Sequence, residues 1–470
     1  MMHEKNTDML SLPFISSFKL NYTSIRCQND SQVSIPDKNL SSKLKALFGK
    51  SENDAILKSD MLTLRTLSII GADIHDLSGL EYAENLKSLD LSANSLTNIQ
   101  PLSKLELLEV LRLQNCQLLN VDALANLPKL QELWLGSNYL KNIALNNNNS
   151  LKVLVLESNL ISDISSLDAL TDLSVFSIAN NVVRDISVVS NYNKLETLFC
   201  GYNNIVDFSV LANKESLKIL SIPGMVIADP SFLSSLSLSK LDITSTNIND
   251  LSYINQLLEG MTSLYAGNNG IEDINLLSSA INLVELSLSS NQIQDISSLS
   301  NCQKLKVVSL GKNQIKDVSS LNAGISDLYL LDNPLDSNTA FGRFKNLQFL
   351  NINNTGISKV NLPTLVLLSA NKNKISDIST VNEKVSLAYL QDQKIELEDV
   401  KITNSSHLAL HNIDGNAPAI TWNSPTEGVY DNNKESLLWK SPGLNSLTWE
   451  NKDFQNVLFT GEVSQYVDPS

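Results

Sequence analysis

From Leu64 onward the chain alternates apolar and polar positions in a short run, then spaces its apolar residues more widely, then starts again. The stretch Leu283 to Leu305, LVELSLSSNQIQDISSLSNCQKL, shows the unit: Leu283, Leu286 and Leu288, then Asn291, Ile293, Ile296 and Leu299, with a restart 22 residues on at Leu305, Val308, Leu310 and Asn313. Leu286 and Leu288 alternate with Glu285, Ser287 and Ser289, which predicts a short strand with one apolar and one wet face. Ile293, Ile296 and Leu299 point inward from a return limb. A single coil leaves those side chains uncovered, so the unit predicts a stack in which each coil covers the next.

The period and the L-x-x-L-x-L-x-x-N-x-I pattern are those of a leucine-rich repeat. First leucines, or their substitutes, fall at Leu64, Leu86, Leu108, Leu130, Leu151, Leu173, Leu195, Leu217, Leu238, Met261, Leu283, Leu305, Ile325, Leu347 and Leu365, giving fifteen units spaced by 18 to 23 residues. The expected fold is an α/β repeat solenoid, a leucine-rich-repeat horseshoe of 22-residue units. Asn94, Asn138, Asn159, Asn181, Asn203, Asn269, Asn291, Asn313, Asn333 and Asn373 share one position, where an amide bonds backbone in the turn of its own and the next coil. Ala72, Cys116, Met225, Thr246 and Thr355 replace it elsewhere. Most units from Leu151 onward carry an aspartate, among them Asp163, Asp185, Asp207, Asp295 and Asp317, read as opening a short 3₁₀ turn. Equivalent carboxylates about 4.8 Å apart in a line do not converge on one ion, so no metal is expected there.

Both ends depart from the period. Residues 1–32 read as a flexible N-terminal segment. Residues 33–63 read as a helical cap, with Leu40, Leu44 and Leu47 at helical spacing, Asp37 or Asn39 as N-cap and Gly49 as the stop. The repeat domain spans 64–385. Within it the Asn run after Leu145, Pro223-Gly224, and Pro334 with Phe341 to Phe344 break the rule and are expected to bend the array or project a loop. From 386 to 470 short alternating segments with Pro, Gly and Asn turns predict a β-sandwich, with Trp422, Trp439, Trp449 and Phe459 as its core. Leu387 and Leu390 begin a sixteenth strand that the chain then leaves.

Composition narrows the function. Fifty acidic against 35 basic residues give a net charge of -15, which disfavours nucleic acid and anionic membrane. No run approaches the ~20 apolar residues of a membrane span. Cys27, Cys116, Cys200 and Cys302 are scattered and imply no disulfide framework. His407 and His411 have H-x-x-x-H spacing without the intervening Glu, so zinc is not expected. With no nucleophile elbow, Walker loop or dinucleotide fingerprint, the chain reads as a non-enzyme without cofactor.

Three features together carry a family resemblance. They are Val33-Ser-Ile-Pro-Asp37 leading into Leu47-Phe-Gly-Lys50, the repeats, and Leu387-Ala-Tyr-Leu-Gln-Asp-Gln393 running to Ile420-Thr-Trp-Asn-Ser-Pro425 and Phe459-Thr-Gly-Glu-Val463. The chain resembles the internalins, bacterial surface or secreted proteins, over roughly residues 33 to 465. The resemblance implies that cap, repeats and an immunoglobulin-like (Ig-like) C-terminal domain form one rod whose concave face binds host proteins. The sequence departs from the family in showing neither an export signal nor a wall anchor, so a cytoplasmic location stays open. The rival readings are an intracellular scaffold holding a phosphatase or other enzyme, and a structural role in the cell envelope.

A partner would meet the third, fifth and seventh positions of each strand, which face away from the core. Large residues there are Trp134, Val153, Val155 and Phe199 toward the front and Tyr265, Tyr329, Phe349 and Tyr389 toward the back, with Tyr202 just beyond its strand. Glu132, Glu157 and Asp327 share the face, whose remaining positions read mostly as Ser, Gly, Thr or Asn. Aromatic side chains on a solvated sheet are the type that carries interface energy, so these form the expected partner site of a monomeric binding protein.

Overall fold

The computed structural model describes residues 30–469 apart from 146, 363–364, 382–384, 424–426 and 452–453. The expectations for residues 1–29, including Cys27, and for Ser424 and Pro425 lie outside the described residues.

Two short helices, α1 (Lys38–Leu47) and α2 (Lys58–Leu62), precede the first coil. Asp37 is the N-cap: its carboxylate accepts from Leu40 N at 2.9 Å and also from His75 N at 2.7 Å and Asp76 N at 3.2 Å. One side chain therefore both opens the helix and ties it to the first coil. Burial alone would raise its pKa, but these backbone donors outweigh burial and hold the carboxyl below its ordinary value. Leu40 and Leu44 are fully buried, whereas Leu47 is exposed. Gly49 follows the helix at φ +68°, as a left-handed stop requires.

Fifteen three-residue strands, β1 (Thr66–Ser68) to β15 (Leu367–Ser369), pair in parallel, each with the next coil. The middle residue of each strand is a core Leu, Val or Phe, and its neighbours face outward. The limbs opposite carry 3₁₀ turns in most coils. Those limbs are bulkier than strands spaced about 4.8 Å apart, so the stack curves with the sheet on its concave side.

The asparagine ladder runs backward, not forward. Asn291 Oδ1 accepts from Asn269 N and Ile271 N at 3.0 Å each, and Nδ2 donates to Ala266 O of the preceding coil and to Leu288 O of its own. Each amide thus satisfies backbone groups that the tight exit from the strand leaves without ladder partners. Cys116 Sγ makes one such bond, to Leu91 O at 3.2 Å. The aspartates accept from the backbone two residues on, as Asp163 does from Ser165 N at 2.8 Å and Asp295 from Ser297 N at 2.8 Å. Among the described residues, only Asp229 and Asp250 of these aspartates are N-caps of their 3₁₀ segments. In several other coils an isoleucine separates the aspartate from the turn.

One irregular coil carries its extra bulk in the core. Phe341 and Phe344 are both fully buried, with ring centroids 6.4 Å apart, and fill the lengthened coil from inside.

The repeat also continues further than the sequence suggests. β16 (Leu387–Glu396) pairs in parallel with β15, and Gln393 takes the ladder position, with Oε1 accepting from Ile375 N at 3.0 Å and Nε2 donating to Ala370 O at 2.9 Å. Beyond it lie β17 (Val400–Lys401), β18 (Ser406–His407), β19 (Ala419–Trp422), β20 (Val429–Asp431), β21 (Ser436–Leu438), β22 (Gly443–Glu450) and β23 (Val457–Asp468). β23 adds in parallel to β16, and β22 and β19 follow antiparallel, so the long sheet runs on into the C-terminal region. β18, β21 and β20 form a second sheet. Trp439, Trp449 and Phe459 are buried, and Trp422 stands edge-on to Trp439 at 5.6 Å.

Candidate functional site

Strand register places the outward residues in two straight rows. One reads Arg112, Trp134, Val155, Ser177, Phe199, Ser221, Asp242, Tyr265, Ser287, Ser309, Tyr329, Asn351, Ser369 and Tyr389. The other, two residues earlier on each strand, runs from Val110, Glu132, Val153 and Val175 to Phe349, Leu367 and Leu387.

At the front the register brings Trp134, Val155 and Val153 side by side. Trp134 is fixed from two directions: its Nε1 donates to Glu132 Oε2 at 3.3 Å, and the Arg112 guanidinium lies 5.6 Å from its ring centroid. Arg112 Nη2 reaches the same Glu132 oxygen at 3.2 Å. A partly exposed indole held this way loses little rotamer freedom when a partner covers it. Val155 shares the face but is only 5 % exposed, because its neighbours already cover it, so it supports the patch without presenting much surface. Phe199 stands two strands further on, across Ser177. Tyr202 lies past its strand in a left-handed conformation, φ +54°, with its ring over Gly224; a Cβ there would meet the ring at 2.3 Å.

Toward the back the expected set is not one patch. Phe349 joins Leu367 and Leu387 on successive strands, with Tyr389 beside them. Tyr329 borders this group, whereas Tyr265 is separated from Tyr329 by Ser287 and Ser309. The Tyr265 hydroxyl donates to Glu285. Burial, then that bond to a carboxylate, raises the Tyr265 hydroxyl pKa, so the group stays a neutral donor.

The remaining face is less polar than the sequence count suggests. Val110, Val175, Ile219, Val307, Leu367 and Leu387 also point outward. Aliphatic residues one strand-step from the core positions are easily counted as core when the register is not yet fixed.

Comparisons with known proteins agree with this architecture. The family described as Leucine Rich repeats (2 copies) matches residues 281–323. The crystal structure of an internalin, InlF, from Listeria monocytogenes superposes with a TM-score of 0.62 at 28% identity, covering 68% of this chain and 96% of that one. The chain is an internalin-like leucine-rich-repeat protein. The functional domain of InlJ from the same organism has the same fold, with a TM-score of 0.54 at 20% identity over 92% of this chain and 97% of that one. That domain is described as including a cysteine ladder, whereas the internalin-like chain here uses asparagine. No curated protein sequence matches it.

The internalin-like chain presents little else for chemistry. Among the described residues no group of three His, Cys, Asp or Glu side chains could hold a metal ion. Cys116, Cys200 and Cys302 are buried, and burial raises each thiol, Cys302 to about 11. His411 lies with Nδ1 3.5 Å from Asp377 Oδ1 and Nε2 3.8 Å from Glu435 Oε1, where it joins the last coils to the C-terminal strands. No described helix is long and apolar enough to cross a membrane.

Proposed function

We propose that the open face of the sheet binds a protein, with its principal contact at Trp134 and a second at Phe349, Tyr329 and Tyr389, and that the partner is a host-cell protein. The observation that carries this reading is the tethered indole: Glu132 and Arg112 fix the partly exposed Trp134 on the outward face of the sheet. Aromatic anchors of this kind dominate the energy of protein interfaces. Likeness to the internalin of Listeria monocytogenes supports the same face and a secreted or surface location.

The organisation that fits this role is a helical cap over 33–63, repeats over 64–385 and an Ig-like domain over 386–470, acting as a binding module and not as an enzyme. The second sheet of β18, β21 and β20 and the buried Trp439 and Trp449 support the Ig-like assignment.

The test is capture from host-cell surface extract and bacterial lysate in parallel, with the full chain and with a variant carrying Trp134→Ser, Phe199→Ser, Tyr265→Ser and Tyr329→Ser. A host protein held by the parent and lost by an equally folded variant supports the proposal. Capture confined to bacterial lysate would move the function to an intracellular scaffold, and capture indifferent to the four changes would move the site to another face.

A further inference from the structure

A second apolar surface lies on the edge of the stack, just past the sheet. Tyr139, Leu160 and Val182 each follow a ladder asparagine, and their backbone nitrogens bond to Leu118 O, Leu140 O and Ile161 O of the preceding coils. They therefore stand in a row at the coil spacing. On the next coil Asn204 takes the row position, with Tyr202 and Val206 of the same coil on either side of it, and Val226 resumes the row one coil further; all six apolar side chains are 42 to 78 % exposed. A groove of about 540 Å³ runs between Val206 and Val226, bordered by Arg184 and Asn204.

The repeat does not require this. At the same positions the later coils carry Asn247, Gly270, Gln292 and Gln314, and the stack forms equally well. An apolar run confined to a few coils at a position the fold leaves free needs another cause.

We propose that this strip is a self-association surface, covered by the same strip of a second copy of this chain about a twofold axis. The area fits one copy of the same kind. The six side chains present roughly 600 Å², at the upper limit for a free monomer and most of the ~800 Å² each partner gives to a standard interface. A twofold closes the contact, so no filament follows. Charge permits it: the strip itself contains none, so like charges do not meet within it despite the net charge of -15. Around the strip the aspartates Asp163, Asp185 and Asp207 outnumber the cations Lys141 and Arg184 of the same coils, so a net repulsion acts across the contact at longer range. Salt therefore strengthens this association, the opposite of an attachment made through opposite charges. The proposal is independent of the open-face reading.

Sedimentation equilibrium of the full chain from about 1 to about 100 µM tests it. The expected mass rises from 51.7 kDa toward twice that value, and rises further with added NaCl. Leu160→Arg combined with Val206→Arg, both at exposed positions, is expected to weaken the dimer at least about tenfold, as is Val226→Lys alone, while Trp134→Ser leaves it unchanged. A single 51.7 kDa species at every concentration overturns the proposal. So does a dimer that both strip variants leave intact.

Discussion

Trp134 and Arg112 compete for one acceptor, the Oε2 atom of Glu132, at 3.3 and 3.2 Å. The carboxylate thus positions both the largest and the most cationic group of the front patch. Replacing Glu132 by Ala frees both and is expected to weaken partner binding by about three- to tenfold with little change in melting temperature, since Glu132 is half-exposed. Surface plasmon resonance against the captured partner, beside a thermal melt, separates the two effects.

The ladder amides answer for stability instead. Asn291→Ala leaves Asn269 N, Ile271 N and Ala266 O without their side-chain partner in a buried turn, while Leu288 O keeps its bond from Asn313 Nδ2. The expected cost is about 2 to 4 kcal/mol, read as a lower denaturant midpoint. Asn291→Thr recovers part of it, because Thr246 and Thr355 already stand at that position and donate to Ile243 O and Ile352 O.

Acid should loosen the N-terminal end first. The folded-state pKa of Asp37 lies below its ordinary value, so its contribution is fully present above the ordinary carboxylate range and is lost as pH falls through the lowered folded value. Asp37→Ala is expected to destabilise the protein by about 1 kcal/mol at neutral pH, the usual worth of an N-cap, and by progressively less as both forms are acidified. Hydrogen exchange of α1 amides at two pH values checks both the place and the sign.

Gly461 sits where the indole of Trp449 crosses the last strand. A Cβ there would meet Trp449 Cη2 at 2.4 Å and Gln393 O at 2.7 Å. Gly461→Ala is therefore expected to cost about 1 to 3 kcal/mol, with increased exposure of Trp449 seen in its fluorescence.

The repeat was plain in the sequence because every coil must bury the same set of side chains, so the constraint is written again every 22 residues or so. Asp37, Gly49 and the asparagine row were legible for a related reason: their partners are local or lie one coil away. What escaped depended on contacts between distant segments. Gln393 was not recognisable as a ladder residue without knowing that β16 stays in the sheet, and β16 stays because β23, some seventy residues later, pairs with it. The edge row of Tyr139, Leu160 and Val182 is three unremarkable residues until stacking aligns them. Val155 looked as available as Val153, and only the packed neighbours show that one is covered.

The parallel pairing of β16 with β23 has a mechanical consequence. Seven registered residue pairs join them, from Ala388 with Val457 to Glu396 with Ser464. Load applied at the far end of β23 enters the coils along those hydrogen bonds in shear, where many must break together, and not by peeling them one at a time. A tug on the C-terminal strands therefore passes into the coils through this pairing, which resists until its bonds give way together.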